Sequence, residues 1–251
     1  MKKFGLIGYP ISHSFSKQYF TEKFLKSGLS DFSYELFSME NIGDFDKLLN
    51  TQSFLVGLNV TIPHKEKIIP LLDFCDELSS QVGAVNTIKI YRNDLNKVIA
   101  TKGFNTDILG FKKSISSYSE LKTKKALVLG TGGASKAIIF VLKSLNISYL
   151  TVSRELEKAD LTYSEINSSI LNEYTFIINC TPVGKFPEVG LFPDLPYHLL
   201  SEKHFLYDLI YNPEETEFLK KGRLSGAKTK NGFEMLLSQA DASFDIWQGD
   251  F

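Results

Sequence analysis

The stretch that most constrains the fold is a short apolar run followed at once by a glycine-rich turn and an apolar helix. The run is Ala126–Leu129, the turn occupies 130–135, and we predict a helix over 136–145. An apolar run of this length is typical of a strand buried on both faces of a parallel sheet. Strand, glycine turn and helix in this order form the context in which a dinucleotide pyrophosphate binds, because glycines let the backbone approach the phosphates and the helix N-terminus attracts them.

The same turn also fits a strand–helix connection without a ligand. Ser135 stands where the third glycine of the nucleotide-binding pattern is usual, so the pattern by itself leaves both interpretations open. If a dinucleotide binds, the residues that contact its pyrophosphate are Gly130, Gly132, Gly133, Ala134 and Ser135.

The end of the next predicted strand, 149–152, indicates which dinucleotide would bind. An NAD site has a carboxylate about 20 residues past the glycines, where it accepts a hydrogen bond from the ribose 2′-OH. Here Ser153 and Arg154 end the strand and Lys158 follows one helical turn later, so two cations could face the 2′-phosphate of NADP. Glu155 opposes this interpretation because its carboxylate would repel the same phosphate, and a solvated surface arginine is the alternative. We predict NADP, with Ser153, Arg154 and Lys158 as candidate contacts.

Composition and charge narrow the class of protein. The 251 residues are 43% hydrophobic and 23% charged, as in ordinary globular proteins, and allow one large domain or two smaller ones. A net charge of −1 argues against general binding to nucleic acid or to an anionic membrane surface. Cys75 and Cys180 have no metal-binding spacing, and the four histidines form no ligand cluster. We therefore predict a cytoplasmic protein with reduced thiols and no metal site.

The order of predicted elements indicates two α/β lobes. Strands at 4–7, 33–37 and 54–62 alternate with helices after Ser16 and at 40–49, and short helices at 68–75 and 77–81 precede a hairpin of 84–91 with 97–101. From residue 125 the α/β pattern begins again, with strands at 126–129, 149–152, 175–179, 205–209 and 227–230. The last helix, 233–247, has a wide apolar stripe and is expected to return to the first lobe. Two lobes imply a cleft, where active sites are common.

Polar residues follow the predicted strands of the first lobe, at the positions where open α/β sheets bind ligands. Two hydroxyl groups at Ser14 and Ser16 suit a carboxylate, although serine also caps helices in this position. Further candidates for a polyhydroxylated small ligand flank Pro63 or lie in the next strand: Asn59, Thr61, Asn86 and Thr87.

Lys65 and Asp107 are the candidates for proton transfer. Reduction of a ketone needs a proton at the developing alkoxide, which an ammonium group can deliver while a carboxylate shares the proton. Taken singly, Lys65 fits an exposed lysine and Asp107 a helix cap. The residues alone therefore indicate an NADP-linked oxidoreductase of a small polar substrate.

The chain resembles the shikimate dehydrogenase family. The matching stretches are GYPISHSFS at 8–16, NVTIPHK at 59–65, GAVNT at 83–87, NTD at 105–107, the glycine turn, DLIYNP at 208–213 and QA at 239–240. They follow the family order over nearly the whole chain.

The resemblance implies NADPH-dependent, reversible reduction of 3-dehydroshikimate to shikimate in chorismate and aromatic amino-acid biosynthesis, by a monomer or homodimer. It implies a substrate-binding domain of 1–104 plus 232–251 and a Rossmann-like NADP-binding domain of 105–231. By this likeness Lys65 and Asp107 are catalytic, and the substrate contacts are Ser14, Ser16, Thr61, Asn86, Tyr211 and Gln239. The cofactor contacts are the glycine turn, the Arg154 segment, Thr181 and Gly232.

Three departures from the family pattern bear on the site. Lys17 replaces a proline after the Ser-x-Ser motif, Glu155 replaces a small polar residue, and Phe233 with Glu234 replaces a Leu-Gly pair near the expected nicotinamide. The alternatives are a dehydrogenase that also oxidises quinate with NAD, a non-catalytic sensor of shikimate-type ligands, and a nucleotide-binding module of another dehydrogenase.

Overall fold

The computed structural model describes residues 1–12 and 14–249, and the chain divides into two compact units. The first unit comprises 1–106 and 240–251, and the second comprises 107–239. Within the described ranges, none of the helices has both the length and the apolar character needed to cross a membrane. Nor do these residues include a group of three or more His, Cys, Asp or Glu side chains that could hold a metal ion.

The first unit is built on a mixed sheet. Its strands in the described part of the chain are β1 Lys2–Gly8, β2 Phe32–Ser38, β3 Leu55–Val60, β4 Phe74–Cys75, β5 Thr87–Arg92 and β6 Val98–Phe104, in the order β2-β1-β3-β5-β6-β4. β1 is parallel to β2 and β3, whereas β5 is antiparallel to β3 and β6. The helices that begin and end in this unit are α1 Ser16–Lys26, α2 Phe45–Thr51 and α3 Glu77–Val82.

Aromatic packing on one face of this sheet involves a residue from the far end of the sequence. Trp247 stacks on Phe4 with ring centroids 4.8 Å apart, and its indole N–H donates to the carbonyl of Ile88 at 3.0 Å. A Cβ at Gly57 would lie 2.5 Å from the indole nitrogen, so only glycine leaves room for this ring on β3. Trp247 is therefore part of the core of the first unit.

The second unit contains a parallel sheet with the doubly wound order. Its strands are β7 Ala126–Leu129, β8 Tyr149–Ser153, β9 Leu161–Thr162, β10 Phe176–Asn179, β11 Phe205–Asp208 and β12 Lys228–Lys230, ordered β12-β11-β10-β7-β8-β9 with every neighbouring pair parallel. Its helices are α4 Asp107–Ile115, α5 Gly133–Ser144, α6 Ser168–Glu173 and α7 Glu217–Leu224. The chain runs outward in one direction from β7 and in the other from β10, so the switch point lies between these two strands. The predicted α/β class with a Rossmann-like lobe is confirmed.

The last helix, α8 Phe233–Gln248, continues from the second unit into the first. The division falls between Gln239 and Ala240, whereas the sequence-based domain limits assign the whole helix to the first domain. The predicted boundaries between the substrate-binding and the NADP-binding domain, after residues 104 and 231, stay a prediction.

The structure corrects two predicted helices of the first unit. The region 68–75 holds only a single 3-10 turn, Ile69–Leu71, and then the two-residue strand β4, because Phe74 and Cys75 pair with β6. The helix predicted at 40–49 begins as a 3-10 turn at Ile42, with Asn41 accepting a hydrogen bond from the Gly43 N–H, and becomes α-helical only at Phe45.

Candidate active site

Four chain segments of the first unit converge on one edge of its sheet. β1 and β3 are parallel and both end there, β5 begins there because it is antiparallel to β3, and β6 ends there because it is antiparallel to β5. The segments that follow β1 and β3, the start of β5 and the end of β6 carry the predicted substrate residues of this unit. The topology therefore explains why motifs far apart in sequence share one edge.

Ser14 and Ser16, in the segment after β1, have different hydrogen-bond partners. The Ser14 hydroxyl accepts a hydrogen bond from the backbone N–H of Ser16 at 3.3 Å, which closes a local turn. Ser16 is the first residue of α1, and its hydroxyl hydrogen-bonds to the buried Tyr34 phenol, whose pKa is raised by burial. The N-cap residue of α1 is Phe15, and no side-chain hydrogen bond caps the helix. Neither serine is the N-cap residue of α1, although the Ser14 hydroxyl binds the first N–H of the helix.

The loop after β3 is packed closely against the end of β1. A Cβ at Gly8 would lie 2.3 Å from the Thr61 methyl group, and the Thr61 N–H donates to the carbonyl of Ile7 at 2.9 Å. Four residues later, the carbonyl of Lys65 accepts the Val85 N–H at 2.8 Å. Thr61 and the half-buried Lys65 thus lie on a loop whose backbone is fixed at both ends.

A network of buried polar side chains lies behind this edge. The Tyr34 phenol donates to Asn59 Oδ1 at 2.8 Å, and Asn59 Nδ2 donates to Ser243 Oγ at 2.9 Å. The Ser243 hydroxyl also lies 2.7 Å from Thr87 Oγ1 and 3.1 Å from Thr106 Oγ1. The network joins residues of β2, β3, β5, α8 and the segment after β6.

Asn86 lies at the far end of this network. Its Oδ1 accepts the Thr106 N–H at 2.7 Å, and its Nδ2 donates to Thr106 Oγ1 at 2.9 Å. Asn86 is 2% exposed. The network thus connects the loop of Ser16 to Thr106, the residue directly before Asp107. Ser243, which is central to the network, was not predicted from the sequence, because a serine within a helix far along the chain gives no local signal.

We expect Ser243→Ala to lower the free energy of unfolding by about 1–3 kcal/mol, because it removes the buried hydrogen bonds that the Ser243 hydroxyl forms with Asn59, Thr87 and Thr106. Ser53→Ala, which alters an exposed loop serine of the same unit, is the matched control. Urea unfolding of both variants measures the difference. Equal stability of the two variants would show that the Ser243 hydroxyl contributes nothing.

In the second unit, a close helix crossing places Asp107 and Gln239. Asp107 is the first residue of α4, and Gly110 lies one turn later. A Cβ at Gly110 would lie 2.7 Å from the carbonyl oxygen of Met235 and 3.0 Å from Gln239 Cβ, so α4 approaches α8 closely at this point. Gln239 Nε2 donates to the carbonyl of Leu236 at 2.9 Å. The N-terminal end of α4 therefore lies beside the turn of α8 that carries Gln239.

The glycine turn lies at the switch point of the parallel sheet. Gly130 follows β7 with φ of +102°, which favours glycine, and a Cβ there would lie 3.0 Å from the Thr181 methyl group after β10. The turn leads into α5, whose first N–H groups have no partner inside the helix. Ser135 donates its hydroxyl to the Gly132 carbonyl at 2.6 Å, so this side chain stabilises the turn. The arrangement fits a pyrophosphate held by backbone groups.

The segment after β8 is closed by a side-chain link that the sequence did not reveal. Asp160 Oδ2 accepts both the N–H and the hydroxyl of Thr151, at 2.8 and 2.6 Å. Within this loop the Glu155 carboxylate pairs with the Lys158 ammonium at 2.6 Å, and this contact lowers the pKa of Glu155. Lys158 is therefore engaged by Glu155, while Arg154 is exposed at the tip of β8.

The segments after β11 and after β12 contain the remaining predicted cofactor and substrate residues, Tyr211 in the first and Gly232 in the second. A Cβ at Gly232 would lie 2.2 Å from the Leu209 carbonyl oxygen, and the Gly232 N–H donates to the Ile210 carbonyl at 3.1 Å. Tyr211, the residue after Ile210, is half-buried. Glu234, one of the departures from the family pattern, forms a salt bridge with Lys230 at 2.7 Å.

Comparison with known proteins identifies the family. Residues 6–88 match the family model described as the shikimate dehydrogenase substrate binding domain. A curated protein named shikimate dehydrogenase (NADP(+)) from Caldanaerobacter subterraneus subsp. tengcongensis is 38% identical over 100% of this chain and 92% of its own length. A protein of the same name from Methanosphaera stadtmanae is 36% identical over 98% of this chain and 90% of its own length.

Solved structures give the same result. A crystal structure of shikimate dehydrogenase in complex with NADP+ has a TM-score of 0.85 at 32% identity, covering 100% of this chain and 91% of the other. The shikimate 5-dehydrogenase of Thermus thermophilus in complex with NADP(H) and shikimate has a TM-score of 0.84 at 28% identity, covering 100% and 95%. Full-length similarity in both sequence and fold confirms the resemblance: this chain belongs to the shikimate dehydrogenase family.

Proposed function

We propose that the chain catalyses the reversible, NADPH-dependent reduction of 3-dehydroshikimate to shikimate, a step of chorismate and aromatic amino-acid biosynthesis. The observation that carries the proposal is the full-length similarity to proteins named shikimate dehydrogenase (NADP(+)). In the structure, the motifs quoted above lie at one edge of the sheet in the first unit and at the switch point of the sheet in the second. The proposed domains are those predicted from the sequence, and the cytoplasmic location and the monomeric or dimeric state stay predictions.

The proposed chemistry divides between the two units. When bound, NADPH supplies the hydride. Lys65 delivers the proton to the oxygen of the reduced carbonyl group, and Asp107 acts with it as the second acid–base group. In the direction of shikimate oxidation the same groups take up the hydroxyl proton.

Substrate binding is assigned mainly to the polar edge of the first unit. Ser14 and Ser16 hold the substrate carboxylate, and Thr61 and Asn86 hold ring hydroxyls. Because Asn86 is fixed by two hydrogen bonds to Thr106, its amide is preorganised for an incoming hydroxyl group. Gln239 and Tyr211 are the further contacts proposed in the second unit.

Cofactor binding is assigned to the second unit. The turn at 130–135 takes the pyrophosphate at the start of α5, and Ser153, Arg154 and Lys158 face the 2′-phosphate. Thr181 and Gly232 lie toward the nicotinamide in this proposal.

The direct test is to measure the formation of reduced nicotinamide with shikimate, in parallel with NADP and NAD, and to repeat it with quinate. Turnover with shikimate and NADP supports the proposal. Binding of shikimate without turnover with any cofactor would favour a sensor instead.

An NAD-using dehydrogenase that also oxidises quinate is the second candidate. The salt bridge between Glu155 and Lys158 favours it, because this contact engages one of the two cations assigned to the 2′-phosphate. Comparable rates with NAD, or turnover of quinate, would identify this alternative.

We expect Glu155→Thr to lower the KM for NADP by about two- to fivefold, because the substitution removes a carboxylate and releases Lys158 toward the phosphate. The KM for NAD should stay unchanged or rise, since NAD has no 2′-phosphate. Steady-state kinetics with both cofactors measures the change.

Two further variants make this test specific. Glu157→Thr removes an exposed carboxylate two residues away and should leave both constants unchanged. Arg154→Ala should raise the KM for NADP and leave that for NAD unchanged. A Glu155→Thr enzyme with an unaltered cofactor preference would contradict the assigned role of Glu155.

A further inference from the structure

A buried carboxylate lies at the end of β11, next to the switch point of the second unit. Asp208 is 0% exposed. Its Oδ1 accepts hydrogen bonds from Asn179 Nδ2 and from the Ile210 N–H, both at 3.0 Å, and its Oδ2 accepts the Thr216 hydroxyl at 2.6 Å. Burial of an acidic group among neutral donors is costly, so the arrangement calls for a reason other than stability.

One branch of hydrogen bonds leads from Asp208 to the glycine turn. Asn179 is paired with Asp208 in register across β10 and β11, and its Oδ1 accepts the Thr181 N–H at 3.0 Å and the Thr181 hydroxyl at 2.6 Å. These two bonds fix the side chain of Thr181. Its methyl group then lies where a Cβ at Gly130 would be only 3.0 Å away.

A second branch leads from Asp208 to Gly232, which follows β12. The Ile210 N–H is held by Asp208, and the Ile210 carbonyl accepts the Gly232 N–H at 3.1 Å. The adjacent Leu209 N–H donates to the Asn179 carbonyl at 3.0 Å. Thr181 and Gly232, the two residues assigned to the nicotinamide end of the cofactor, therefore both depend on this carboxylate and its amide neighbour.

We propose that Asp208 is a positioning residue for the cofactor. Asp208 orients the Thr181 side chain through Asn179, and it holds the Ile210–Gly232 backbone contact in place through the Ile210 N–H. The inference rests on the proposed function, because it assumes that these segments face NADP(H). Asp208 itself is buried beneath them and touches neither substrate nor cofactor in this proposal.

The charge of Asp208 changes near neutral pH. Burial raises its pKa to about 7, although the hydrogen bonds from Thr216, Ile210 and Asn179 act in the opposite direction. The charge of Asp208 acts on three titratable groups: Cys180, Tyr197 and Tyr207. Burial raises the pKa of each of them, the negative charge of Asp208 raises it further, and none of the three is a cation. The pKa of Asp208 in the folded protein is above the unfolded value of 3.8, so between about pH 4 and 7 the folded protein binds a proton that the unfolded chain does not. The contribution of this proton to the free energy of unfolding is therefore lost as the pH rises from about 4 to 7.

Asp208→Asn and Asp208→Leu separate positioning from charge. The amide of Asp208→Asn can accept the Asn179 and Ile210 donors with its oxygen and donate to Thr216 Oγ1 with its nitrogen, so it preserves the geometry without a titrating proton. Asp208→Leu removes all three hydrogen bonds. Asp194→Asn, which alters an exposed carboxylate of the same unit, is the control.

The experiment measures the Kd of NADPH by fluorescence titration, the KM of shikimate, and the midpoint of thermal unfolding from pH 5 to 8. We expect Asp208→Leu to raise the Kd of NADPH about tenfold while the shikimate KM changes less than twofold. Asp208→Asn should keep both constants near those of the unaltered protein, and its unfolding midpoint should lack the decline toward pH 7.

If Asp208→Leu does not fold, Asn179→Ala provides the second test. This change cuts the branch to Thr181 and leaves Asp208 bonded to Thr216 and Ile210, and we expect a similar rise in the Kd of NADPH. An NADPH Kd within twofold of the unaltered protein in Asn179→Ala or in a folded Asp208→Leu protein would overturn the inference. Failure of the unaltered protein to bind NADPH would instead overturn the proposed cofactor, and this inference with it.

Discussion

Lys65→Met is expected to lower kcat for shikimate oxidation by about 10²–10⁴-fold, the range that a positioned general acid or base contributes. Methionine keeps the unbranched apolar stem and removes the ammonium group, so packing around this half-buried position should change little. The KM of shikimate should change by much less than kcat, because proton transfer matters in the transition state rather than in substrate binding.

Lys67→Met is the matched control, because Lys67 is an exposed lysine of the same loop and has no assigned role. Its kcat should equal that of the unaltered protein. Initial rates at saturating shikimate and NADP, together with circular dichroism of each variant, measure the effect. If Lys65→Met retained more than a third of the turnover, Lys65 would have no place in the chemical step.

Asp107→Asn is expected to lower kcat by about 10²–10³-fold, because an amide cannot take up or release the proton. Asparagine keeps the size of the side chain and is tolerated at the beginning of a helix, so α4 should remain intact. Asp94→Asn, in the exposed turn between β5 and β6, controls for loss of one carboxylate at a surface position.

The decisive measurement for Asp107 is the pH dependence of kcat in both directions of the reaction. If Asp107 takes part in proton transfer, the profile of Asp107→Asn should lose a limb that the control retains. A uniform decrease at every pH would assign Asp107 to binding or positioning instead.

Much of the fold follows from local pattern. The strand at Ala126–Leu129 is found with the predicted limits, because four consecutive apolar residues before a glycine turn have few alternatives in an α/β fold. The hairpin of β5 and β6 is found because polar turn residues separate two alternating stretches. The family was also predicted correctly, since its motifs are long and lie in a fixed order.

Other features depend on contacts that no local pattern encodes. β4 exists because Phe74 and Cys75 lie against β6, although the sequence around them favours a helix. The link from Asp208 to Asn179 joins two strands, and Asp160, which directly precedes β9, binds Thr151 of β8, so both pairs become known only from the sheet order. Asp208 lay within a quoted motif, yet its role required knowing that it is buried. The individual site residues stay predictions until variants are measured.

The distant origin of Trp247 has a consequence for synthesis on the ribosome. The first 106 residues supply the whole sheet of their unit but lack the indole ring that packs against Gly57 and Phe4. That ring is translated only after the entire second unit, which contains all the strands of its own parallel sheet. Nascent chains should therefore complete the second unit first, while the first unit exposes an aromatic surface to chaperones until α8 emerges.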